Sequence, residues 1–401
     1  MFTKASHVLF GTLLLGLVSG CFAEDKAPEG GIAIGLLLPF TGSASATASN
    51  LERATLYAAD RINNGGGING QSVRIVSRDT HSEVRRGTAE AAALADSGVV
   101  AIIGPESSEI AEQMRPDLAQ DGVLFLSPLV GAAAEPSRTC DVPWFRLAPS
   151  AKSLGEALAK QAKAQNVTRL AVLYSTSPYD QALGGAAAAR FATLGGEVTL
   201  ELQLDPEAQS YASQVREAIR AGVTDVILAA SPRAGAIVVN EFDALSSMRP
   251  HWFLSPLLKT DLLLQNVAPQ ALEGALGVAP KIYELGDEFP KKFSERWLGD
   301  EPLEGAYFYY DAMALLAVAL SKSTQGGGDE PDLGKAMLAA TARAGERIGW
   351  DDIGVRRLRG GNQLFYSGLT GPLSLEPCGA RSIGDTSDWT VQQGAIVDLA
   401  E

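Results

Sequence analysis

The sequence predicts an α/β protein made of two doubly wound parallel-sheet lobes, and three observations carry that reading. Apolar runs of strand length alternate with helix-length amphipathic patterns. The alternation runs twice, with a proline-rich break between the two series. At 401 residues the chain is also long for a single core.

Residues 1–21, MFTKASHVLFGTLLLGLVSGC, carry Lys4, an apolar stretch from Val8 to Val18, and small residues before Cys21. That stretch is too short for a mature membrane span and fits a secretory signal segment. Val18-Ser19-Gly20-Cys21 is similar to a bacterial lipobox, in which the cysteine is lipidated and becomes the new N-terminus; ordinary cleavage nearby is the alternative. Acyl chains on Cys21 would hold the folded part at a membrane surface. Phe22 stands where inner-membrane lipoproteins of some Gram-negative bacteria carry Asp, which points to the outer membrane. Residues 22–31, FAEDKAPEGG, read as a flexible tether.

From Ile32 the first series runs IAIGLLLPF, then SNLERATLYAADRIN, whose Leu51, Ala54, Ala58 and Ile62 share one helix face. NGGGINGQ follows as a turn, then VRIVSRD, a helix from Glu83 to Ser97, VVAIIGP, a helix from Glu109 to Gln120, and VLFLSP. The stretch AAAEPSRTCDVPWFRLAPS breaks the pattern with three prolines. The second series is LAVLYSTSP, a helix from Asp180 to Leu194, EVTLELQL, a helix from Tyr211 to Ala221, DVILAASP, a helix over Ala234 to Leu245, and HWFLSP. Continuous apolar strands fit parallel sheets covered by helices on both faces. Beyond ALGVAP, helices are expected from Glu288 to Trp297 and from Ala306 to Ser321, then the linker STQGGGDEP, then strands and turns.

Five strand ends read IIGP, FLSP, YSTSP, AASP and FLSP. Ser capping the next helix with Pro in its first turn accounts for such steps without any ligand. Together they also line the carboxyl ends of parallel strands, where open α/β sheets bind ligands and helix N-termini favour anions.

Composition narrows the function. Hydrophobic residues make up 46% and charged residues 20%, a balance able to bury two cores. The net charge of −14 repels a phosphate backbone, which excludes nucleic acid as a partner; Arg356, Arg357 and Arg359 read as a solvated face. Removal of the signal segment leaves His81 and His251, too few for a metal cluster or a Ser-His-Asp relay. GPESSEI lacks the second glycine of a nucleophile elbow, and no phosphate-cradling Gly-rich loop ending in Lys-Ser/Thr occurs. Neither an enzyme, nor a metal, nor a cofactor is expected. Cys140 and Cys378 form an even pair in an oxidising compartment, so a disulfide is expected, with free buried thiols as the alternative.

The sequence resembles the type I periplasmic solute-binding proteins of the branched-chain amino-acid (Leu/Ile/Val) binding family of ABC transporters. The resemblance covers residues 32 to 401 and rests on LLPFTG, ERATLYAADRINNGGGINGQSVRIVSRD, IIGPESS, LFLSP, WFRLAPS, AVLYSTSPYDQAL, DVILAASP, FLSP and GAYFYYDAMALL in that order. It implies two lobes joined by three crossovers, near Arg146 to Ser150, Gly277 to Tyr283 and Gly368 to Pro372, closing on a ligand between them. The N-terminal lobe would comprise 32–148 and 281–368, and the C-terminal lobe 149–280 and 369–401. Cys140 and Cys378 would then flank the first and third crossovers.

The resemblance also implies a site. Ser107 or Ser108 and the stretch Leu129, Val130, Gly131 would receive a ligand's α-carboxylate. Tyr179 would cover the ligand, and Tyr307 would add an aromatic surface, with core packing as its alternative. Partners would be a small-molecule ligand and the ABC permease and ATPase subunits, on the periplasmic side of a bacterial membrane. One departure stands out. Where the family's amino-acid binders present an acid for the ligand's ammonium, this chain has Ser255-Pro256-Leu257-Leu258, with Asp180 and Asp261 as conceivable substitutes. A buried ammonium without a carboxylate is costly, so an amine-free carboxylate or an amide fits equally well. A sensor or protein-binding lipoprotein of the same fold is the second reading.

Overall fold

A computed structural model describes residues 30–121, 123–131, 144–283, 288–323, 332–354, 358, 363–376, 379, 381 and 384–399. Cys21, Cys140, Cys378, most of the tether and Arg356, Arg357 and Arg359 lie outside the described residues.

The first sheet holds β1 (Ile32–Leu38), β2 (Val73–Asp79), β3 (Ala101–Ile103), β4 (Leu124–Ser127) and β5 (Trp144–Arg146), all parallel, in the order β2-β1-β3-β4-β5. Its helices are α1 (Ala48–Asn64), α2 (Val84–Asp96) and α3 (Ser108–Asp121). Because side chains alternate along a strand, Ile34, Leu36 and Leu38 join the core on the α1 side, while Ala33 and Leu37 pack against α2 and α3. Both faces are buried, as the continuous apolar runs predict. WFR, read in the sequence as part of a crossover, is the edge strand β5; Phe125 and Trp144 stack at 5.1 Å and hold it to β4.

The second lobe begins with α4 (Ala151–Ala164) and continues β6 (Arg169–Ser175), α5 (Pro178–Thr193), β7 (Glu197–Leu204), α6 (Ala212–Arg220), β8 (Asp225–Ala229), α7 (Pro232–Leu245), β9 (His251–Leu254), α8 (Asp261–Leu264) and β10 (Leu276–Pro280). The chain then returns to the first lobe through α9 (Glu288–Arg296), α10 (Glu304–Ser323) and α11 (Leu333–Thr341), with a small sheet of β11 (Glu346–Ile348), β12 (Leu364–Gly368) and β13 (Gly371–Pro372). Finally β14 (Thr386–Gln392) and β15 (Ala395–Asp398) join the second sheet, whose order is β15-β14-β10-β9-β8-β6-β7. These last strands are antiparallel, because β14 lies against β10 and a two-residue turn folds β15 back on it.

The helix α10 is apolar on every side and correspondingly buried from Phe308 to Ser321, wedged against α1, α11 and the first sheet. Beyond Glu304 in its first turn, its one acid is Asp311, which is fully buried. The Asp311 carboxylate accepts bonds from Tyr366 Oη (2.7 Å), the N–H groups of Leu369 (3.0 Å) and Thr370 (2.7 Å), and Thr370 Oγ1 (2.7 Å). Burial lifts its pKa above the usual carboxylate range, and these four donors pull it back in part.

Three passages join the lobes. Arg381, buried and held down to about 10 by desolvation, donates to the carbonyls of Leu147 (3.0 Å) and Thr370 (2.8 Å), tying the first passage to the third. Tyr283 N–H donates to Leu369 O at 2.7 Å, tying the second to the third. Leu369 and Leu373 still pack in the first-lobe core, and the second sheet is rejoined at Thr386.

Candidate functional site

The five strand ends do different things. Ser177 and Ser231 cap α5 and α7, accepting from Asp180 N–H (3.2 Å) and Ala234 N–H (3.3 Å), with Pro178 and Pro232 in the first turns. Ser127 is not a cap: its hydroxyl accepts from Trp144 Nε1 (2.9 Å) and donates to Gly104 O (3.3 Å), bracing the first sheet. Ser255 is fully buried and its hydroxyl has no partner among the described residues. At IIGP, a Cβ on Gly104 would lie 2.2 Å from Leu37 O, and its φ is +109°, so only glycine fits the turn that leads to α3.

Ser107 precedes α3, and its Oγ accepts from Ile110 N–H at a long 3.4 Å; Ser108 is the helix's first residue. Both are half-buried, with weak capping duty and donor capacity to spare. Leu129 lies against the start of α10: a Cβ on Gly305 would meet Leu129 Cδ1 at 3.0 Å. Gly131 carries the ring of Tyr179 from the other lobe, since a Cβ there would lie 2.7 Å from Tyr179 Cε2. The helices α3 and α5 also lie side by side across the lobes. The structure thus brings Leu129, Gly131 and Tyr179 together. Tyr307 packs its ring 4.9 Å from Phe289 in the aromatic cluster of the first lobe, one turn along α10 from Glu304.

Glu304 and Lys259 had no signal in the sequence, because one opens a helix of the first lobe and the other follows the Ser255-Pro256 step of the second. Across the lobes Lys259 Nζ lies 3.5 Å from Glu304 Oε2 and 2.8 Å from Asp398 Oδ1. Burial alone would depress the Lys259 ammonium, but the charge of Glu304 and the bond to Asp398 hold it above its usual value. Burial lifts the Glu304 carboxyl, offset in part by Lys259. The Tyr179 hydroxyl is pushed up by burial and then by the charges of Asp180 and Glu304. The Glu304 side chain keeps 32% of its surface exposed.

Of the two conceivable substitute acids, one is bound within its own lobe and the other is exposed. Asp180 is 2% exposed, and its Oδ2 accepts from Ser175 and Ser177, both at 2.9 Å. Asp261 is exposed at the start of α8. A further acid, Glu106, stands between the Gly104-Pro105 turn and Ser107; burial pushes it up to about 7, its own backbone N–H lowers it in part, and Asp79 raises it. Its Oε2 and the nearby Tyr309 hydroxyl are both buried without a partner among the described residues. Among the described residues no cluster of His, Cys, Asp and Glu could hold a metal ion, and no helix is long and apolar enough to cross a membrane.

Two α/β lobes joined by three tied passages define the two-lobed architecture. A family model described as periplasmic binding protein matches residues 31–364. The chain therefore belongs to the periplasmic binding protein family, whose members bind solutes and are not enzymes. It is 25% identical over 317 residues to the Leu/Ile/Val-binding protein homolog 1 of Brucella suis biovar 1 (strain 1330), covering 76% of this chain and 82% of the relative. Among solved structures it superposes on the leucine binding protein LivK of Thermotoga maritima with TM-score 0.74, at 19% identity over 92% of this chain and 98% of that one. It also superposes on a solute binding protein of R. palustris in complex with benzoate, with TM-score 0.72, at 17% identity over 92% and 96% of the two chains.

Proposed function

We propose that this is an extracytoplasmic, lipid-anchored solute-binding protein that closes its two lobes on a small polar organic ligand, an amino acid, carboxylate or amide, and delivers it to the permease and ATPase subunits of an ABC transporter. The observation that carries the reading is the seating of Tyr179 from one lobe on Gly131 of the other, beside the start of α3 with Ser107 and Ser108. In this reading Ser107 or Ser108 and the 129–131 loop receive a carboxylate, Tyr179 covers it and Tyr307 backs the hollow. The names of the relatives, with leucine-type ligands, and of the benzoate complex agree with a carboxylate-bearing ligand.

The lobe division we propose is 32–148 with 281–368 and 149–280 with 369–401, the third passage running from 369 to 385. We also propose lipidation at Cys21 and a Cys140–Cys378 disulfide. Gly379 packs on the backbone of Trp144, and its carbonyl accepts Arg146 N–H at 2.8 Å, which draws the chain next to Cys378 toward the chain just past Cys140. Mass spectrometry of native protein tests the anchor, and an unmodified Cys21 refutes it. Thiol counting in denatured samples with and without reductant tests the bridge, and equal counts refute it.

The test of the function is a thermal-shift screen of the soluble part against amino acids, carboxylates, amides and nucleobases. Ligand at a hundredfold its Kd stabilises by about 2.7 kcal/mol, and silence from every class refutes transport. The second reading, an outer-membrane lipoprotein acting as a sensor or protein-binding regulator, is favoured by Phe22 and by Leu257 in place of an acid at the second-lobe step, where it is 45% exposed. Permease and ATPase genes beside this one would decide against it.

A further inference from the structure

The second lobe supplies no acid at its Ser255-Pro256 step: Leu257 turns outward and Leu258 packs on Gly235 of α7. The first lobe supplies one instead. Glu304 opens α10, and the residue after it, Gly305, touches Leu129 of the loop assigned to a carboxylate. Tyr179, which sits on Gly131 of that same loop, feels the Glu304 charge. Glu304 therefore stands beside the loop and the tyrosine of the proposed site.

In an α-amino acid the carboxylate and the ammonium hang from one carbon, so their receivers must be neighbours. The 129–131 loop meets α10 at Gly305, the residue next to Glu304. Among the described residues Lys259 is the one partner of the Glu304 carboxylate, at 3.5 Å, and Lys259 lies closer to Asp398, at 2.8 Å. A carboxylate has about four acceptor sites, so Glu304 keeps capacity facing the hollow. A buried carboxylate lifted by desolvation gains most from a second cation.

We propose that Glu304 receives the ammonium of an α-amino-acid ligand, in place of the acid missing from the second lobe, and that Lys259 is its resident counter-ion, remaining on Asp398 when the ligand enters. This rests on the reading of the interlobe hollow as the binding site. Lys259 then has a second effect: its pairing with Glu304 ties the lobes together when the hollow holds no ligand. A ligand ammonium loosens that tie as it adds its own.

The experiment is titration calorimetry on the wild-type soluble part and on Glu304→Gln, with each α-amino acid paired with the same acid lacking the amine, leucine with 4-methylpentanoate first. Wild type is expected to prefer an amino acid over its amine-free partner by about a hundredfold, and Glu304→Gln to bring that ratio near one. Glu304→Asp, which keeps the charge, should restore part of the preference and stands in if the Gln variant does not fold. Lys259→Met should keep the preference or increase it. A wild type that binds both members of every pair equally, or a Gln variant that keeps the full preference, overturns the proposal. A wild type that binds neither member of any pair overturns the binding-site reading and this proposal with it.

Discussion

Glu106→Gln separates the electrostatics of the first lobe from its packing. Burial pushes the Glu106 carboxyl from its ordinary value of 4.5 to about 7. The folded-state value is raised, so the stability the neutral acid permits is present in full below pH 4.5 and is lost as pH rises toward 7. Over about 2.5 pH units, at roughly 1.4 kcal/mol per unit, the loss amounts to about 3 kcal/mol. The glutamine cannot ionise, so its stability relative to the wild type should improve by about 3 kcal/mol between pH 4.5 and pH 8. Its amide meets the same unpartnered surroundings at every pH, which adds a constant offset and leaves the slope untouched. Urea unfolding of both proteins, followed by tryptophan fluorescence at pH 4.5 and pH 8, reads the difference, and other titrating groups cancel in it. An offset that stays the same within about 1 kcal/mol at both pH values refutes the assignment of a buried, neutral Glu106.

Ser107→Ala combined with Ser108→Ala should weaken a carboxylate ligand about tenfold or more, since bonds to a charged group contribute about 1.5–3 kcal/mol each. Stability should fall by no more than about 1 kcal/mol, because the 3.4 Å cap is long; unchanged affinity by calorimetry removes the pair from the site. Gly131→Ala places a methyl 2.7 Å from Tyr179 Cε2 and 3.1 Å from Pro149 O. It should hold the lobes apart and cost about 1–3 kcal/mol, visible as a larger radius of gyration in solution scattering, and an unchanged radius and affinity would contradict the contact. Asp311→Asn trades acceptor capacity for donors facing donors and removes the charge near Arg381, so unfolding stability should drop by about 3–5 kcal/mol; a drop under 1 kcal/mol would show that the cluster is dispensable.

The lobes were legible because parallel strands buried on both faces leave continuous apolar runs, and Leu51, Ala54, Ala58 and Ile62 leave a helical stripe. The Ser-Pro steps were legible as caps at Ser177 and Ser231, where the signal is local. The strand at WFR was not legible because three residues with prolines on either side carry no period, and β5 exists only through pairing with β4. Asp311 carried no signal in the sequence; its partners lie 55 to 59 residues away and form only when the third passage folds onto α10. Glu304 and Lys259 meet only across the two lobes, so no spacing along the chain could announce them. Tyr179 was singled out through family likeness, and its seat on Gly131 explains why that loop position carries no side chain.

The hinge limits how the hollow can open. Arg381 joins the carbonyls of Leu147 and Thr370, Tyr283 joins Leu369, and Asp311 grips Leu369 and Thr370 from inside the first lobe. The three passages are thus fastened to one another and to the first lobe. Leaving Arg381 or Asp311 buried and unpaired would cost several kcal/mol, so an opening that keeps them paired is favoured. Opening that preserves these bonds must bend on the second-lobe side of them. There Pro149 packs on Gly384, where a Cβ would come within 2.3 Å of the proline ring, and Lys281 N–H bonds Asp385 O at 2.9 Å. Rotation about that line carries Tyr179 away from Gly131 and Lys259 away from Glu304 together. The Tyr179–Gly131 contact and the Lys259–Glu304 ion pair therefore form and break as one event.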